Sequence, residues 1–129
     1  MINDIKIAEN FNLKEFECTG NGHHHVIVDN KLVEKLQVLR SFLNKPLYVN
    51  SAYRCPERNE EVGGAKKSQH LTGKAADISL RNLEINIKKL SKKAAEIGFT
   101  GIGLYNSFIH LDVRELPQGK NSPIIWNGR

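Results

Sequence analysis

The sequence predicts an α+β domain. Three observations point that way. Apolar residues recur at three- and four-residue steps in two long stretches, two short apolar runs flank a tight turn near residue 106, and Gly, Pro or Asn marks each change of pattern. At 129 residues the chain fits one domain, residues 1–129. That length supports one hydrophobic core and a shallow cleft, and is too short for a second lobe.

The elements follow in order. Leu13–Phe16 is expected as a short helical turn anchored by Phe11, Leu13 and Phe16, and residues 19–25 as a polar loop. Asp29 is a good N-cap for a helix over Asn30–Leu43, in which Leu32, Val33, Leu36, Leu39 and Leu43 form one face. Pro46 follows its end, and residues 47–51 read as a strand. Pro56 suits the first turn of a short helix reaching Val62, which Gly63 and Gly64 stop. Ala75–Ser79 reads as a second strand. Asn82 is expected to cap a helix running to Ile97, with Leu83, Ile87, Leu90, Ala94 and Ile97 inward and Gly98 ending it. Residues 101–105 and 108–113 make two strands around Asn106 and Ser107. The tail is irregular until Ile124, Ile125 and Trp126. The mixture suggests helices beside an antiparallel sheet.

The net charge of +5 favours polyanionic surroundings, but the lysines are scattered. The densest group, Lys88, Lys89, Lys92 and Lys93, has the spacing of a solvated helix face. Interleaved aromatic and basic residues are absent from the strands, so nucleic acid is not an expected partner. Nor is a membrane, because no apolar run approaches the roughly 20 residues of a spanning helix. Residues 1–10 lack the apolar stretch of a signal peptide, so the chain reads as made in the cytosol or as a fragment. A monomer is expected. Cys18 and Cys55 are expected as reduced, buried thiols, with a single bridge or an auxiliary metal role as the alternatives. His23, His24 and His25 read as an exposed loop or as an outer part of the cleft, and Trp126 as a core clamp rather than a stacking platform.

The chemistry concentrates in two places: the block from Ser68 to Asp77, and His110 with Asp112 on a later strand. A catalytic zinc takes three ligands from His and carboxylate and leaves a position for water. His70 and Asp77 can converge if Gly73 supplies a tight turn between them, and Ala75 and Ala76 leave room beside them. His110 lies on an apolar strand, where an unpaired imidazole is costly. Spacing alone leaves a second reading open, in which both histidines are structural and satisfied by backbone. Residues two apart on a strand share a face, so Asp112 points with His110. It can act as a proton carrier, orient a metal-bound histidine, or pair with Arg54 or Arg114. Glu57, Glu60 and Glu61 read as solvated helix surface.

Several pieces stand in a definite order: Ser51-Ala52-Tyr53-Arg54, Asn59, Val62-Gly63-Gly64-Ala65, Ser68-x-His70-x-x-Gly73-x-Ala75-x-Asp77, Gly101-Ile102-Gly103 and Phe108-Ile109-His110-Leu111-Asp112. In them, along residues 16–126, the chain resembles the M15 family of zinc peptidases, and within it the D-Ala-D-Ala carboxypeptidase and endolysin group (subfamily A) that acts on peptidoglycan stem peptides. The resemblance implies a small antiparallel sheet flanked by helices, with zinc in a shallow cleft (a hedgehog/D-Ala-D-Ala peptidase-like fold). It implies Zn2+ held by His70, Asp77 and His110, and Arg54 beside the metal, touching substrate or the developing oxyanion. Ser68, Gln69 and Tyr53 would bind the substrate peptide. Better-known members place Asp or Glu three residues before the last histidine, where this chain has Ser107. Asp112 is then the nearest candidate for the catalytic carboxylate. Two functional classes follow: an active peptidase cutting a peptidoglycan stem peptide, or a zinc-bearing binding module without activity. A small catalytic domain without a signal peptide fits a phage or prophage lysin, or a domain cut from a longer secreted protein.

Overall fold

The computed structural model describes residues 2–20 and 22–128, so Asn21 of the expected 19–25 loop lies outside them, as do Met1 and Arg129. The fold is α+β. A hairpin of β1 (Lys6–Ala8) and β2 (Phe11–Asn12) leads into a 3-10 turn at Leu13–Phe16. Next come α1 (Asn30–Leu43), β3 (Val49–Ser51), α2 (Pro56–Glu61) and a second 3-10 turn at Gln69–Thr72. Then follow β4 (Ala75–Ser79), α3 (Ile87–Ile97), β5 (Gly101–Leu104), β6 (Phe108–Asp112) and β7 (Ile124–Asn127).

Strands β3 to β7 form one sheet in the order β3-β4-β6-β5-β7. It is antiparallel except at one edge, where β7 runs parallel to β5. The alternation of side chains divides the sheet into two chemistries. Ala76 and Ile78 of β4, Ile102 of β5, and Ile109 and Leu111 of β6 face the core. There they join Leu32, Val33, Leu36 and Leu39 of α1 and Leu90 and Ala94 of α3. The intervening residues Ala75, Asp77, Gly101, Gly103, His110 and Asp112 face the other way, and all are buried. The segment between β3 and β4 covers this second face with Arg54 and His70.

Asp29 caps α1 as expected, its carboxylate accepting from the Lys31 N–H at 2.7 Å. The third helix departs from the sequence reading. Asn86, not Asn82, caps α3, accepting from the Lys88 N–H at 2.8 Å. Asn82 instead donates to the Pro46 carbonyl at 2.8 Å, and a turn closed by Leu83 N–H to Leu80 carries the chain past it. Leu83 still reaches the core, but from a turn. Strand β3 starts two residues later than expected, at Val49, and its pairing with β4 is irregular between Val49 and Ser51.

Candidate metal centre

The sheet register assembles the site. Asp77 and His110 are direct partners across β4 and β6, so their side chains stand side by side on one face. Asp112 is flanked by Ala75 on β4 and Gly101 on β5. These small neighbours make room for a carboxylate inside a sheet. A Cβ at Gly101 would overlap the Asp112 carboxylate itself. Gly103, partner of His110, leaves space filled by the Trp126 ring from β7.

His70 arrives from outside the sheet. Ser68 caps the Gln69–Thr72 turn by accepting the His70 N–H at 3.2 Å, and Gly73 ends it in the left-handed region at φ 72°. A side chain at Gly73 would also run into the Ile27 carbonyl, so glycine is required there twice over. His70 Nδ1 contacts the Ala52 carbonyl at 2.6 Å, and Nε2 lies 3.2 Å from Asp77 Oδ1. His110 Nδ1 lies 3.0 Å from the same oxygen, and its Nε2 contacts Asp112 Oδ2 at 2.7 Å. One donor atom from each of His70, Asp77 and His110 lies within 4.8 Å of the others.

These contacts prepare the donors. With its Nδ1–H given to a carbonyl, His70 presents the Nε2 lone pair; with its Nε2–H given to Asp112, His110 presents Nδ1. Two imidazole nitrogens and a carboxylate oxygen, from buried residues that line a cleft, fit a tetrahedral zinc with one exchangeable position. Burial opposes ionisation of Asp77, yet hydrogen bonds from His110 and His70 outweigh it and hold the carboxyl at about 2. Asp112 behaves alike: burial is overcome by hydrogen bonds from His110 and Arg114, and its carboxyl is held at about 2. Burial works against charge on His110, but Asp112 and then Asp77 outweigh it and raise its pKa. The two carboxylates thus favour positive charge beside them.

The cluster opens into a cleft of about 420 Å³. Arg54, Ser68 and Gln69 line it, and Arg54 donates to Asp77 Oδ2, Asn59 Oδ1 and Ser51 Oγ at 3.2–3.3 Å. Tyr53, expected in the cleft, is not among its lining residues. In an extended segment neighbouring side chains alternate, so with Arg54 inward Tyr53 turns away. Burial first, then Cys55, Cys18 and Glu57, raise the Tyr53 pKa. Asp112 is fully buried behind His110, its oxygens engaged by His110 and by Arg114, which reaches Oδ2 at 2.7 Å. Glu57, Glu60 and Glu61 are exposed and line no part of this cleft, and neither does the histidine triplet.

The sequence reading missed the aromatic wall. Tyr105 stacks on Phe108 at 4.3 Å, and its hydroxyl accepts from Trp126 Nε1 at 3.1 Å. Trp126 lies 5.2 Å from the His110 ring, with the Arg114 guanidinium 5.2 Å over its own ring. Trp126 is therefore half-buried cleft wall rather than core clamp. The sequence held no local signal for it, because Gly103 leaves room for the Trp126 ring only once β7 lies beside β5. Ser107 sits beside Asn50, Ser79 and Arg81, away from the cleft.

The family described as peptidase M15 matches residues 9–112. The peptidoglycan L,D-endopeptidase MepK of Escherichia coli K12 is 31% identical over 94 residues, covering 66% of this chain and 50% of that protein. The zinc D-Ala-D-Ala carboxypeptidase of Streptomyces albus G is 38% identical over 69 residues, covering 53% of this chain and 26% of that protein. The chain thus spans half or less of the curated relatives it matches. With a family match over most of its length, the chain belongs to the peptidase M15 family.

Proposed function

We propose that the chain is a zinc peptidase that hydrolyses an amide bond in peptidoglycan stem peptides. The convergence of His70 Nε2, Asp77 Oδ1 and His110 Nδ1 at the floor of a cleft carries this reading. The relatives' names, an L,D-endopeptidase and a D-Ala-D-Ala carboxypeptidase, direct it to the peptide part of the wall. Zinc, when bound, supplies a Lewis acid that polarises a carbonyl and lowers the pKa of water to about 7.

The chain's own residues do the rest. Arg54 uses three of its five N–H donors within the protein and keeps two for a carbonyl oxygen or its developing charge. Lys67 and Arg114 add positive charge to the cleft, which suits the free carboxylates of stem peptides. Ser68 and Gln69 border the ligand His70 and offer hydrogen bonds to a peptide backbone. Tyr105, Phe108 and Trp126 form an apolar wall against which a short side chain such as that of alanine packs. Asp112 positions His110 and fixes its tautomer, a role its complete burial favours over direct proton transfer to substrate.

One observation favours a second reading. Among the described residues lining the cleft, Asp77 is the one carboxylate. A zinc-bearing module that binds wall peptides without cutting them has no use for another. Digestion of purified peptidoglycan, with the products weighed by mass spectrometry, separates the two. The peptidase reading predicts new muropeptides that disappear with a chelator. Intact muropeptides together with zinc-dependent retention on the wall support the binding module instead.

A further inference from the structure

A second cluster lies outside the cleft. Cys18 and Cys55 are buried free thiols 37 residues apart in sequence, with their sulfurs 3.3 Å apart. A ring nitrogen of His23 joins them, and the three donor atoms lie within 4.8 Å of one another. None of the three lines the proposed active cleft.

We propose that Cys18, His23 and Cys55 form a second, structural metal site, selective for a thiophilic ion such as Zn2+. Two sulfurs and an imidazole suit zinc and exclude the oxygen-seeking Mg2+ and Ca2+. The Cys18-x4-His23 spacing lies on a loop containing Gly20 and Gly22, with Gly22 in the left-handed region at φ 69°. Such a loop lets two side chains turn inward to one centre. The Cys55 backbone N–H points at Cys18 Sγ at 3.4 Å, an arrangement that stabilises a thiolate as well as a thiol. The His25 ring lies beside that of His23, with centroids 4.0 Å apart, so a further imidazole stands near the cluster.

Binding has one cost within the loop. The His25 N–H donates to His23 Nδ1 at 3.2 Å, and that bond is given up when either ring nitrogen takes the metal. It is an exposed, neutral hydrogen bond, a small loss against three metal bonds. The consequence is structural. The site would fasten Cys18 and His23 to Cys55, the residue after Arg54, and so steady the segment that carries that guanidinium into the cleft.

Cobalt(II) titration into the reduced, metal-free chain tests this. Thiolate-to-cobalt charge transfer absorbs in the near ultraviolet, and the cleft cluster has no sulfur, so the band reports the second site alone. We expect two equivalents per chain and a charge-transfer band that persists in His70→Ala and His110→Ala. The band is lost in Cys18→Ser and Cys55→Ser, and His23→Gln weakens cobalt binding there by at least about tenfold. Circular dichroism of each variant checks the fold, and because His23 lies on a loop, its variant tests the site without disturbing the core. One equivalent and no band in the wild-type chain would overturn the proposal. So would a Cys18–Cys55 disulfide in protein kept under reductant, or a band unchanged by His23→Gln. None of these results bears on the peptidase reading.

Discussion

Asp112 shows how much one side chain can depend on its neighbours. Its carboxylate sits between Ala75 and Gly101, accepts from His110 and Arg114, and is completely buried. Replacing it with Asn keeps the shape but removes the charge that steadies the His110 Nε2–H. We therefore expect Asp112→Asn to fold and to bind zinc about 10–100-fold more weakly, as measured by competition with a chromophoric chelator. Unchanged affinity with lost activity would instead make Asp112 the proton carrier. Gly101→Ala attacks the same point from the other strand. The new methyl overlaps the Asp112 carboxylate, so we expect a loss of roughly 1–3 kcal/mol in urea unfolding together with weakened zinc binding. At this scale the sequence is informative about the candidate donors and poor on what supports them. His70, Asp77 and His110 stand out because few residue types bind metal. The roles of Gly101, Gly103 and Trp126 depend on which strands lie side by side, and no local pattern reveals that.

Elements are legible where their signals are local. Helix α1 can be read to its ends because its cap, its apolar spacing and its terminal Asn44 lie within the segment. Helix α3 offers two asparagines as caps, and the spacing of Leu83 with the later apolar residues favours the wrong one. What decides between them is a hydrogen bond from Asn82 to the Pro46 carbonyl, 36 residues away. Asn86→Ala should then cost about 1 kcal/mol by loss of the cap, lowering the melting temperature by roughly 3–5 °C. Far-ultraviolet circular dichroism of that variant should show fraying at the start of α3. A helix unaffected by Asn86→Ala but shortened by Asn82→Ala would restore the boundary at Asn82. The β1–β2 hairpin is invisible in the sequence because strands of three and two residues carry too little alternation to register.

Across the whole molecule, one sheet serves two purposes. Its core face packs Ile78, Ile102, Ile109 and Leu111 against α1 and α3, and its other face carries the polar cluster. Register couples the two, because a one-residue slip of β6 would exchange Ile109 and Leu111 for His110 and Asp112. Packing is therefore what aligns the ligands. Leu36→Ala, at the centre of α1 and completely buried, should destabilise the chain by about 2–5 kcal/mol. Excess zinc should recover part of that loss in a thermal melt, since a ligand that binds only the folded chain stabilises it. A melting temperature indifferent to zinc would mean that the ligands are not held by the fold. The central claim, that the cleft cluster holds the zinc of a wall peptidase, is tested most directly by muropeptide release against zinc added back to the chelator-stripped chain. We predict that release returns with zinc in the wild-type chain and stays absent in His110→Ala. Release that persists without metal, or that returns equally in His110→Ala, would contradict it.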